Sequence, residues 1–184
     1  MKKAILITLL LSTAASGFAQ EYYSNWAIGV RAGEPLGANI RKYFADGEKA
    51  FDINVGTYGF FWGRQKYYGK DRSSGDKKLV YDGAGFQFQG LYNWHKALFR
   101  REALHVTYGF GGQLNSRRLY QSDRTSNAIR QISVGPAVAA GLEYKLPNND
   151  LAVFLDGGGY VELIPRPFLS HPQLSGGVRL NIVR

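Results

Sequence analysis

Beyond residue 25, apolar and polar side chains alternate with a period of two along most of the chain. Trp26, Ile28 and Val30 take one parity while Ala27, Gly29 and Arg31 take the other. Leu36, Ala38, Ile40 and Phe44 oppose Asn39, Arg41 and Tyr43. Phe51, Ile53 and Val55 then oppose Asp52, Asn54 and Gly56, in a segment that continues to Trp62. Such alternation marks strands with one face in an apolar phase and the other among polar groups. A fourth segment sets Ala84, Phe86, Phe88, Tyr92 and Trp94 against Gly85, Gln87, Gln89 and Asn93, and a fifth sets Leu104, Val106, Tyr108 and Phe110 against His105, Thr107, Gly109 and Gly111. The sixth carries Ile132, Val134, Val138, Ala140 and Leu142 against Ser133, Gly135, Ala137, Gly141 and Glu143. Leu151, Val153 and Leu155 oppose Asp156 in the seventh. Leu174, Val178, Leu180 and Ile182 oppose Ser175, Arg179 and Asn181 in the eighth.

Eight is an even number, and the connections sort by length. Ala45 to Lys49, with Asp46-Gly47 inside it, has hairpin-turn chemistry, and Pro147-Asn148-Asn149-Asp150 is a second turn. A connection from His95 to Ala103 joins the fourth and fifth segments on the same side. On the other side lie longer polar stretches at Gly63 to Lys78, Asn115 to Asn127 and Leu163 to Pro172, besides a very short link at Glu34-Pro35. Short turns at one end and long loops at the other are expected of a bacterial outer-membrane barrel. Pro136 interrupts the sixth segment, where a missing N–H predicts a bulge or a weak point in the ladder.

The N-terminus has a different pattern. Lys2 and Lys3 precede an apolar run from Ala4 to Leu11, and Gly17-Phe18-Ala19 offers small residues before Gln20. This is the layout of a cleaved signal peptide over residues 1–19, leaving 20–184 as one domain. Removing both lysines lowers the formal net charge of +9 by two. No later apolar run approaches the roughly 18 to 20 residues of a transmembrane helix. Barrel strands need only about 9 to 11. Composition agrees with an all-β chain, with 23 Gly, 12 Tyr and 11 Phe against one Met. The chain has no Cys, so it can form neither disulfides nor thiolate metal sites.

Period two does not say which face meets lipid. A soluble lipocalin-like barrel in the periplasm would use the same pattern inverted. Aromatics at the segment ends favour lipid, as interface girdles require. Trp26, Phe44, Phe51, Trp94 and Tyr144 fall at one end, and Phe60, Phe61, Trp62 and Tyr81 at the other. On this parity the lumen receives Arg31, Arg41 and Arg179 together with Asp52, Glu143 and Asp156. Confined charges must be paired, because an isolated one costs several kcal/mol. Three cations against three anions therefore predict an ion-pair network. Eight strands leave an interior that side chains can fill, which predicts a plugged lumen rather than a pore.

The stretch from Trp26 to Gly33, then Leu36-Gly-Ala-Asn-Ile-Arg-Lys-Tyr-Phe44, a short turn and Phe51-Asp-Ile-Asn-Val-Gly56 resembles the opening hairpins of small outer-membrane β-barrel proteins common in Bacteroidetes. In build the chain is similar to OmpA and OmpX barrels over its whole mature length, on pattern alone. The resemblance implies an eight-stranded antiparallel up-and-down transmembrane β-barrel in the outer membrane of a Gram-negative bacterium, with no catalytic residues. Family members usually end on an aromatic residue, whereas this chain ends Asn181-Ile-Val-Arg184.

Candidate chemistry is sparse. His95, His105 and His171 lie on separate segments without ligand spacing, His105 expected in the lumen and His171 in a loop. The clusters Gly109-Phe-Gly-Gly112 and Gly157-Gly-Gly-Tyr160 lack the helix or Lys-Ser/Thr pair that phosphate cradling needs. No Gly-x-Ser-x-Gly elbow is present. No cofactor, metal or enzymatic activity is expected. Arg64, Lys66, Lys70, Arg72, Lys77 and Lys78 make the first long loop basic, and Arg117, Arg118 and Arg124 do the same for the second. Positive loops attract anions. Outside such a membrane these are lipopolysaccharide phosphates, while export and the lack of a recognition motif argue against nucleic acid. The expected role is a non-enzymatic structural or interaction protein, or an accessory subunit of an envelope complex, with outer-membrane lipid, lipopolysaccharide and other envelope proteins as candidate partners. The alternatives are a narrow channel for ions or small solutes and a soluble periplasmic binding barrel.

Overall fold

The computed structural model describes residues 26–44, 47–58, 66–67, 79–98, 101–121, 129–147, 150–165 and 167–183. The signal peptide expected over 1–19 lies outside them. Nine strands follow in order: β1 (Trp26–Gly33), β2 (Leu36–Phe44), β3 (Lys49–Tyr58), β4 (Lys66–Tyr67), β5 (Leu79–Leu98), β6 (Arg101–Gln121), β7 (Ile129–Lys145), β8 (Leu151–Glu162) and β9 (Leu169–Val183). Each pairs antiparallel with its neighbour. β1 also pairs with β9, and β3 with β5, so eight strands close into a barrel and the two-residue β4 sits on β5 alone. Closure removes the free edges along the span that all eight strands share. The described residues contain no helix.

The first two turns use local chemistry. Gly33, at φ +131°, and Gly47, at φ +85°, take conformations that a side chain disfavours. The near end, where β1 begins and β9 finishes, carries the β2–β3, β5–β6 and β7–β8 turns. Only residues 99 and 100 separate β5 from β6, so the expected connection from His95 to Ala103 contracts to those two positions.

Two other connections shrink at the far end. β6 continues to Gln121, so Asn115 through Gln121, including Arg117 and Arg118, belong to a strand and not to the second loop. β9 starts at Leu169, which makes Leu169 through Pro172 strand residues. The sequence pattern fades at the start of β9 because exposed Ser170 and Pro172 are not aliphatic, although burial still alternates from Ser170 to Ser175. β5, β6 and β7 thereby outrun their neighbours. β3 leaves β5 at Gly85 and β8 leaves the regular β7 ladder at Ala137, whereas β6 stays paired to Leu79 on one side and to Ile129 on the other.

Pro136 lies where the β7–β8 register breaks. Ala137 faces Tyr160, but the next pairing is Val134 with Ile164, one residue out of step. The bulge expected from its missing N–H is therefore present, on the β8 side, while the β6 side keeps Pro136 opposite Gly112.

Candidate functional site

The two faces of the barrel wall separate by chemistry. Outward positions form apolar rows that run around the ring. Val30, Ala38, Val55, Phe88, Leu114 and Val134 face one another in succession across β1, β2, β3, β5, β6 and β7. In the other direction Val30 faces Val178, and Val178 faces Val153. All of these side chains are exposed or half-exposed. Near one end, exterior aromatics cluster. Trp94 stacks on Tyr108 at 5.6 Å, Tyr92 packs edge-on to Trp94 at 5.1 Å, and Phe44 lies 5.6 Å from Tyr92. Lys42 sets its ammonium 5.1 Å over the Trp26 ring.

The inward face is polar and buried. Each of the six charged residues placed there by parity points into the bore. Glu143 on β7 is the hub. Its Oε2 accepts from Arg41 Nη1 at 2.7 Å and from Arg179 Nη1. Its Oε1 accepts from the Tyr43 hydroxyl at 3.1 Å and lies 3.2 Å from His95 Nε2. Arg41 also grips Asp52 with Nε and Nη2, the latter at 2.6 Å from Oδ2. Asp156 sits 3.7 Å from both Arg31 and Arg179, and Arg31 donates to the Ser175 hydroxyl. The Phe154 ring carries the Arg179 guanidinium 3.7 Å from its centroid. Glu143 is 0% exposed and Arg41 and Arg179 are each 1% exposed. Burial of this depth raises the strength of each ion pair and equally the cost of losing a partner.

A second, uncharged layer joins the first through Arg179 Nε and Asn39 Oδ1. Asn39 donates to Asn54 at 2.7 Å, Asn54 to Gln89 at 2.9 Å, and Gln89 to Gln113 at 2.9 Å and Gln173 at 3.1 Å. Gln113 continues to Asn115, which reaches Ser133, where the Tyr160 hydroxyl also donates. Counted around the closed ring, β2 lies opposite β7 and β5 opposite β9. Arg41–Glu143 and Gln89–Gln173 are therefore bonds across the bore.

Several participants lie outside the charge network that parity predicts, although Asn39 and Tyr43 share the parity of Arg41. Tyr43, His95, Asn39 and Phe154 join only because closure brings distant strands together. His95 and His105 stack at 4.1 Å with ring planes 5° apart, although their sequence separation carries no ligand pattern. His171 is a buried β9 residue stacked on Tyr160 at 6.0 Å, not a loop residue. No cluster of three or more His, Asp or Glu among the described residues could hold a metal ion. Of the basic loop, Arg64, Lys70, Arg72, Lys77 and Lys78 lie outside the described residues, and Lys66 is placed in β4 by its backbone. Phe60, Phe61 and Trp62 also lie outside them.

No protein-family model matches the chain, and comparison with curated proteins finds no match. Among solved structures, the N-terminal β-barrel domain of Pseudomonas aeruginosa OprF superposes with a TM-score of 0.55 at 14% identity, covering 86% of this chain and 98% of that one. Neisserial surface protein A gives 0.44 at 16% identity, with 85% and 93% covered. Ail of Yersinia pestis, in complex with the heparin analogue sucrose octasulfate, gives 0.43 at 13% identity, with 85% and 97% covered. The similarity to the OprF domain is one of fold.

Proposed function

We propose that the chain is an exported, non-enzymatic outer-membrane β-barrel with a closed lumen, serving as a structural or interaction protein or as an accessory subunit of an envelope complex. The observation that carries this is the inversion of the usual protein surface: apolar rows outside, buried ions and amides inside. A lipocalin-like binding barrel needs the opposite arrangement, an apolar interior to receive its ligand. On this reading the near end faces the periplasm, the leader over 1–19 directs export, and the far-end loops face outward. Bonds between opposite walls leave the bore filled by its own side chains.

Two measurements test the reading. In planar bilayers the purified protein is expected to give no steady single-channel current. Discrete, reproducible openings would favour the narrow-channel alternative, since ions would then have a path past Glu143 and Gln89. Leu155→Arg is the second test, at an outward position 56% exposed in the middle of β8. In lipid vesicles this change is expected to cost about 2–4 kcal/mol of unfolding free energy, as a guanidinium near the bilayer midplane does. On a soluble barrel an exposed Leu→Arg change would be nearly neutral, so an unaltered urea midpoint would sink the membrane assignment.

A further inference from the structure

Three lysines share one depth of the barrel wall. Lys42 of β2, Lys49 of β3 and Lys96 of β5 all have outward parity; Lys42 and Lys96 are exposed and Lys49 is half-exposed. In the ladders Lys42 faces Phe51 and Lys49 faces Trp94, so each lysine is a diagonal neighbour of the next, about 7–8 Å away. Closure makes that diagonal nearly level. Followed from Val30, the ladders reach Leu114 of β6 by way of β2, β3 and β5, but Leu104 by way of β9, β8 and β7. This stagger tilts the strands, and a line of constant depth steps a little over one residue toward the near end at each strand. From Lys42 it passes close to Lys49 and Lys96. On the other five strands that depth is held by Trp26, Val106, Tyr144, Val153 and Leu180, none of them charged. All the outward charge of this ring therefore gathers on one wall.

Like charges so placed repel, and the chain supplies them no counter-charge. None of the three makes an ion pair among the described residues, and Glu48, next to Lys49, stands in the turn outside the ladder. Unspecific attraction to headgroups gives a barrel no reason to gather its cations on three adjacent strands. A phosphate between them would turn the repulsion into charge-assisted hydrogen bonds. Toward the middle of the wall the same strands change character. Trp94 stacks on Tyr108 and tilts against Phe110 at 5.8 Å, and Tyr92 lies 6.5 Å from Phe110, which makes an aromatic shelf across β5 and β6. Beyond the shelf the outward positions Gly90 and Gly112 face each other without side chains. A Cβ at Gly112 would meet nothing within 4 Å, and one at Gly90 only Phe51 Cζ at 3.4 Å. Phe88 and Leu114 border the far side, so the pair forms a recess floored by backbone. Gly90 lies roughly 20 Å along β5 from Lys96, the reach of a lipid from its phosphate into its acyl chains.

From this arrangement we infer a binding site for an anionic phospholipid on the near-end wall of β2, β3, β5 and β6. Lys42, Lys49 and Lys96 take the headgroup phosphate, while the aromatic shelf and the recess at Gly90 and Gly112 receive an acyl chain. A headgroup with its own ammonium is disfavoured, because it would bring a fourth cation to three. The site deepens the membrane reading and rests on it. The test places the folded protein in nanodiscs of equal phosphatidylglycerol and phosphatidylethanolamine, and native mass spectrometry reads the lipid retained on release. Phosphatidylglycerol is expected to be retained about tenfold over phosphatidylethanolamine, as clustered lysines at a headgroup surface favour. Lys49→Gln with Lys96→Gln should bring that ratio close to one, while the heat-modifiable gel mobility of a folded barrel stays unchanged. Lys49→Arg with Lys96→Arg should keep it. Arg130→Gln, which removes an exposed cation of β7 near the far end, should also leave it intact. Gly112→Leu should lower the retention of both lipids. A folded double glutamine variant that keeps the full preference overturns the site alone. So does displacement of the lipid by inorganic phosphate at equal concentration, and so does release of the chain as lipid-free dimers, which would give this wall to a second copy. A wild-type chain that stays in the aqueous phase overturns the membrane reading and the site with it.

Discussion

Glu143→Leu is expected to lower the unfolding free energy of the barrel in lipid vesicles by about 3–5 kcal/mol, the usual cost of stripping one partner from a buried ion cluster. The carboxylate accepts from Arg41, Arg179 and Tyr43 and lies beside His95, and it is the acceptor that Arg41 and Arg179 share at their Nη1 atoms. Removing it takes the shared counter-charge from Arg41 and Arg179 and leaves the Tyr43 hydroxyl without its acceptor. Glu143→Gln, which retains an acceptor but no charge, should lose less. The double change Glu143→Leu with Arg179→Leu restores charge balance, so its loss should fall well short of the sum of the singles. That coupling in a double-mutant cycle separates a network from independent contacts. Urea midpoints followed by tryptophan fluorescence measure the parent, Glu143→Gln, each single leucine variant and the double. An unchanged midpoint in Glu143→Leu would mean that water already solvates Arg41 and Arg179, and the closed lumen would be wrong.

Why six residues scattered from position 31 to position 179 could be assigned to one interior is a matter of parity. Side chains alternate faces strictly in a strand, so an apolar phase on one side labels every position on the other. Arg31, Arg41, Asp52, Glu143, Asp156 and Arg179 all fall on the labelled side. What parity cannot supply is depth along the barrel and partner identity. Arg41 reaches Glu143 across the ring because shear brings those levels together, and period two has no information about shear. Phe154 and Leu91 break the rule in the other direction, as apolar side chains pointing inward. Phe154 is there as a platform for Arg179, a role visible only when both strands are placed.

The far end was legible least. Past Gly85 on β5 and Ala137 on β7, the strands extend beyond their neighbours on the outer sides of the three-strand group. There the inward face is itself polar, with Asn115 fully buried beside Ser133, so no contrast of apolar and polar positions marks the strand and Asn115 to Arg118 read as loop although the ladder runs through them. The same strand extension places Arg118 opposite Arg130, a pairing hidden from any residue-by-residue reading of the loop. Pro136 worked in the opposite sense. A missing N–H is a local fact with a local consequence, and the bulge it predicts is where the register slips.

Two glycines within the same barrel should respond to alanine in opposite ways. At Gly177 of β9 an added Cβ would stand 2.1 Å from Val30 O and 2.7 Å from Phe154 Cζ. Neither can yield easily. The carbonyl belongs to the β1 ladder, and the ring is wedged between this glycine and the Arg179 guanidinium. Gly177→Ala should therefore cost about 1–3 kcal/mol through overpacking. Gly177→Val, with two further methyls against the same ring, should leave little or no heat-modifiable species. At Gly112 of β6, on the outward face, an added Cβ meets nothing within 4 Å. Gly112→Ala should stay within about 0.5 kcal/mol of the parent, as surface changes do. The contrast reaches the functional proposal, because the Phe154 ring that excludes a side chain at Gly177 also holds Arg179 against Glu143. Relaxing the ring would loosen the bond network that we propose closes the bore. If Gly177→Ala refolds with the parental urea midpoint, the packing of Phe154 against β9 is not what positions Arg179, and the ion cluster must be fixed by its own charges alone.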